Sequence, residues 1–119
     1  MIESIVGCEV TQVSFGGTFI IRLSPSGDIS IEGAMGIEVA GRAVGEDDTD
    51  ARVARLVDLF GTRIQLAEIL PTGDLRVRFS NQTVITVEAG SAYEAFDLNL
   101  PGSPSKVVGG AGGRLEVWD

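Results

Sequence analysis

The sequence predicts an α+β fold, mainly β: two antiparallel β-meanders, forming a curled sheet or a sandwich, with one short helix near residues 49–60. Three observations lead there. Apolar and polar residues alternate at period two through most of the chain, the pattern of strands with one face buried. The 16 glycines among 119 residues exceed the usual ~7% and punctuate those alternations as turns. A helical period occurs once, where Val53, Leu56, Val57 and Phe60 recur at i, i+3, i+4 and i+7.

Taken in order, Val10, Val13 and Phe15 end a first strand whose alternation slips near Thr11-Gln12, which predicts a bulge. Gly16-Gly17 reads as a tight hairpin, because both positions can take positive φ. Phe19, Ile21 and Leu23 form one face of a second strand. After the turn Pro25-Ser26-Gly27-Asp28, Ile29 and Ile31 form a third. Gly33-Ala34-Met35-Gly36 breaks it, and Ile37 and Val39 form a short fourth. Residues 41–48 read as a loop. The helix follows, capped by Asp48 or Thr49, with Asp50 at the positive end of its dipole and Gly61 as its stop. The C-terminal half returns to period two, with strands at Ile64–Ile69, Leu75–Phe79, Thr83–Glu88, Phe96–Leu100, Val107-Val108 and Leu115–Trp118. No connection except the helix is long enough for a parallel crossover, so antiparallel pairing is expected. The length fits a single domain, residues 1–119.

Composition excludes several kinds of chemistry. With no histidine there is no Ser-His-Asp or Cys-His nucleophile system, no His general base and no His-ligated metal. The single cysteine, Cys8, has no partner for an intramolecular disulfide and suits a reducing cytoplasm. No catalytic residue, metal or cofactor is assigned. Lys+Arg is 9 against 17 acids, a formal net charge of −8, and such a balance disfavours nucleic acid. Residues 1–60 hold 10 acids and 4 arginines, so this half repels phosphate and attracts a basic surface. No apolar run reaches the ~18 residues that span a bilayer, and the N-terminus lacks the basic region of a signal peptide.

Several groups stand out, each with a plain reading beside a functional one. Glu46, Asp47, Asp48 and Asp50 are a helix cap in a solvated loop, or docking charges for a basic partner; their nearly consecutive spacing does not suit calcium. Arg76 and Arg78, with Arg63 on a neighbouring segment, are the wet face of a sheet, or a grip for a carboxylate or phosphate. Gly109–Gly113 lacks the Lys-Ser/Thr pair and following helix of a phosphate cradle and reads as a hairpin. Tyr93, Glu94, Phe96 and Trp118 are a partner hot spot, or Phe96 and Trp118 close the core.

These motifs resemble a family of small, uncharacterised bacterial domains, mainly actinobacterial. The resemblance runs through the opening Gly7-Cys8-Glu9-Val10-Thr11-Gln12-Val13, the acidic segment and helix from Glu46 to Phe60, and Gly73-Asp74-Leu75. It continues through Tyr93-Glu94-Ala95-Phe96, similar to a Y-E-A-W motif, and Gly112-Gly113-Arg114-Leu115-Glu116-Val117-Trp118, similar to P-G-G-x-L-x-V-W. Phe96 stands where Trp is usual and Ala111 where Pro is common. The resemblance implies a self-contained fold and no catalytic residue.

Three functional expectations follow. The leading one is a non-enzymatic acidic protein-binding module, an immunity-type antidote or regulator that docks a basic protein through Glu46, Asp47, Asp48 and Asp50. The second is a small anionic-ligand binder using Arg63, Arg76 or Arg78. The third is a self-associating structural domain, a homodimer paired through an exposed strand edge.

Overall fold

A computed structural model describes residues 1–90 and 92–119. It contains eleven strands: β1 (Glu9–Ser14), β2 (Phe19–Ser24), β3 (Asp28–Ile31), β4 (Met35–Val39), β5 (Arg42–Ala43), β6 (Ile64–Ile69), β7 (Leu75–Phe79), β8 (Thr83–Val87), β9 (Phe96–Asn99), β10 (Lys106–Gly109) and β11 (Leu115–Trp118). One α-helix, α1 (Thr49–Val57), lies between β5 and β6, and short 3₁₀ turns cover Glu3–Ile5 and Ala111–Gly113.

Every pairing is antiparallel. The first sheet runs β1-β2-β3-β9-β10-β11 and the second β5-β4-β8-β7-β6. Both halves of the chain therefore contribute to both sheets. The chain changes sheet after β3 and again after β8, and the two crossings are tied together: the Glu32 and Gly33 amides donate to the Ala95 carbonyl, and the Glu88 amide donates to that of Ala34. A further seam joins β1 to the start of β6. Val10 exchanges backbone bonds with Gly61 and Thr62 at 2.8 Å, and the Gly7 amide donates to the Ile64 carbonyl at 2.8 Å.

The period-two residues meet between the sheets as one core. Val10, Ile21, Ile29, Phe96, Leu98 and Val107 of the first sheet and Ile37, Leu75, Val77, Phe79, Ile85 and Val87 of the second are all at most 2% exposed. Burial of apolar surface on both inner faces is the main stabilising term of such a sandwich. The predicted bulge is present, as a register shift between Val10 and Gln12.

Several expectations are corrected. Gly16 and Gly17 connect β1 to β2, but neither has positive φ, because a four-residue connection from Phe15 to Thr18 relieves the tight turn. The 41–48 segment contains the two-residue strand β5. The helix ends at Val57, before Gly61, because the Leu59 and Phe60 amides reach back only three residues and Gly61 is then held by Val10. The apolar stripe is not a core face: Leu56 is 5% exposed, but Val53, Val57 and Phe60 are 41%, 48% and 65% exposed. Trp118 is 46% exposed on the outer face of β11 rather than closing the core, with the Lys106 ammonium 5.7 Å from its ring centre.

Candidate functional site

The site begins at the N-terminus of α1. Asp48 caps it, its Oδ1 accepting from the Ala51 amide at 3.1 Å, and Asp50 lies in the first turn where the helix dipole favours a carboxylate. The cap sets the rotation of the first turn and so directs Arg52 back towards β4. Arg52 Nη2 donates to the Met35 carbonyl. Its Nη1 is buried and has no partner among the described residues. A buried guanidinium nitrogen left in this way calls for an acceptor.

Gly36 leaves the outer face of β4 open beside Arg52; a Cβ there would meet only the Thr86 carbonyl, at 3.8 Å. Two cavities of about 300 and 280 Å³ share Gly36, Glu46 and Arg52. The first adds Glu88, and the second adds Glu38, Val44 and Thr86. A third, of about 170 Å³, continues from Ala34 and Glu88 to Tyr93. Together they trace a groove along β4 from Tyr93 to Val44. Three carboxylates, Glu38, Glu46 and Glu88, line it against one guanidinium. None of the three is in an ion pair among the described residues; the pairs present are the N-terminus with Glu3, Arg55–Asp58, Arg63–Glu9 and Lys106–Asp97. Such a groove concentrates negative potential.

A separate cavity of about 350 Å³ lies between Met1–Glu3, the end of β6 and Leu115. Its lining mixes apolar side chains with Glu3 and Glu68. Hydrogen bonding to the N-terminal ammonium holds the exposed Glu3 carboxyl below its ordinary value. Among the described residues no group of three or more His, Cys, Asp or Glu side chains is placed to hold a metal ion.

The residues singled out in the sequence fall in different places. Of the acidic run, Glu46 enters the groove, Asp48 and Asp50 serve the helix end, and Asp47 is exposed. Arg63, Arg76 and Arg78 are exposed but do not form one site. Arg63 donates to the Gly7 carbonyl at 3.0 Å and pairs with Glu9 at 3.4 Å. Arg76 and Arg78 stand on the outer face of the second sheet, with Glu68 directly opposite Arg76. The Tyr93–Phe96 motif divides in two. Tyr93 is 62% exposed at the groove end and Glu94 is exposed, whereas Ala95 and Phe96 are buried. Arg52, Glu38 and Glu88 were not predicted. Gly36 reads in sequence as part of a break, but it lies inside β4, where a strand glycine marks a place where something approaches closely.

Over residues 1–119 the chain matches a family of unknown function (DUF6188), and it belongs to that family. No curated protein and no solved structure shows significant similarity to it.

Proposed function

We propose that this protein is a non-enzymatic acidic docking domain that takes a basic, extended segment of a protein partner into the groove along β4, as an immunity-type antidote or a regulator does when it covers its target. The supporting observation is the unpaired set Glu38, Glu46 and Glu88 around Arg52. Lysine or arginine side chains of the segment would meet the carboxylates. Tyr93 at one end supplies an exposed aromatic of the kind that anchors interfaces. Asp47, with Asp48 and Asp50 at the helix start, adds to the field that steers a basic partner.

A binding role also agrees with a chain that has no histidine and whose one cysteine is buried. The buried, lone Cys8 suits a reducing cytoplasm. No described helix is long and apolar enough to cross a membrane. The anion-binding alternative has less support, because Arg63 is already engaged by Gly7 and Glu9.

The test is fluorescence anisotropy of a labelled alternating Lys/Ala peptide, titrated at rising salt. Binding that weakens with salt and falls roughly tenfold or more in Glu46→Lys/Glu88→Lys supports the reading, since each ~1.4 kcal/mol is a factor of ten. No binding at low salt, or full binding by the double variant, overturns it.

A further inference from the structure

We propose that two copies of this chain pair through β11, continuing the first sheet across a two-fold axis with Val117 opposite Val117. The inference rests on how the sheet edges differ and is independent of the groove. An unpaired strand edge is a template for another strand, and proteins usually blunt it. Three of the four edges here are blunted. β1 carries a bulge at Val10/Gln12, and its start is bonded to residues 61–64. β5 is two residues long. β6 has a bulge between Ile64 and Leu66, and its first residue is held by Gly7. β11 has none of these devices: its register with β10 is regular throughout, it contains no proline, and it exposes Val117 at 47% and Trp118 at 46%.

The ladder then limits the register. The Gly110 amide donates to the Arg114 carbonyl at 2.7 Å, so Arg114, Glu116 and Trp118 turn their main-chain groups to β10. Leu115 and Val117 turn theirs to the open edge, and neither has a backbone partner there among the described residues. A two-fold pairing must therefore match these outward residues with each other. Setting Leu115 opposite Val117 places Glu116 directly against Glu116 of the second copy, a like-charge pair. Centring on Leu115 runs the strand into Gly112 and Gly113, whose φ values of +70° and +81° are not extended. Centring on Val117 avoids both. Glu116 then faces Trp118 of the second copy, whose ring already carries the Lys106 ammonium. Each copy thus sets this carboxylate near the other's Lys106, which also pairs with Asp97, and no like charges stand directly opposite at the seam even though each chain carries −8 overall.

Sedimentation velocity over a concentration series tests this. The full chain should move from its 12.5 kDa monomer to twice that mass as concentration rises, and more readily at higher salt, which screens the net repulsion. That salt dependence is opposite in sign to the one expected of the groove, so the two readings fail separately. Val117→Lys, at an exposed position, should keep the native circular dichroism and lose the dimer. Independently of that variant, Val117→Cys should oxidise to a covalent dimer, because residues opposed across the axis lie about 5.5 Å apart at Cα, within disulfide reach. Wild type with its buried Cys8 should not. A monomer at every concentration, a dimer that survives Val117→Lys, or cross-linking by Glu116→Cys in place of Val117→Cys would overturn the proposal.

Discussion

The corner formed by Ala95, Phe96 and Gly109 and the helix α1 both begin as apolar motifs, and the fold treats them in opposite ways. At the corner, Phe96 and Gly109 are cross-strand partners, and the Phe96 ring occupies the space of the absent side chain: a Cβ on Gly109 would come within 2.3 Å of it. Ala95 is equally confined, since a Cβ on Gly33 would meet its methyl at 2.9 Å. In α1 the apolar stripe turns mostly outward, and only Leu56 with the following Leu59 reaches the core. The difference lies in what surrounds each motif. A strand inside a sandwich is covered by the opposite sheet, whereas a helix crossing from one edge strand to another finds cover for a few side chains only. An apolar residue thus carries structural weight in proportion to what covers it.

Four substitutions probe that contrast, measured as urea unfolding free energies. The largest effect is expected for Phe96→Ala, which empties a 1% exposed site and should cost about 3–5 kcal/mol. Gly109→Ala should be destabilising in the wild type and nearly tolerated in the Phe96→Ala background; equal costs in both would show that the ring does not pack on Gly109. Asp48→Ala removes the helix cap and should cost about 1 kcal/mol. The smallest effect is expected for Phe60→Ser, within about 0.5 kcal/mol, because the side chain is 65% exposed. A loss of several kcal/mol from Phe60→Ser would break the comparison, since α1 would then be as firmly covered as the corner.

Much of the fold was legible because alternation reports local geometry directly. Leu75, Val77 and Phe79 face inward and Arg76 and Arg78 outward, as a one-sided strand requires. The slip at Thr11-Gln12 announced its bulge in the same way. The groove was much less legible. Glu46 stood out through its acidic neighbours, but Arg52 is an ordinary helix residue in sequence, and Glu88 reads merely as the end of a strand. Their meeting depends on Gly36 and on the angle at which α1 leaves its cap.

The paired glycines of the C-terminal motif show the same division. Gly112-Gly113 plainly marks a turn. Only the assembled fold shows the stricter demand on Gly113, where a Cβ would sit 2.6 Å from the Thr72 carbonyl of the β6–β7 turn. By itself, then, the amino-acid order determined which stretches are strands, where they turn and which side of each strand is apolar, because those properties arise between residues two to four positions apart. Which sheet each strand joined, which apolar residues were left in water and which charges were left unpaired were decided by tertiary structure, because each depends on what a distant segment does or does not cover.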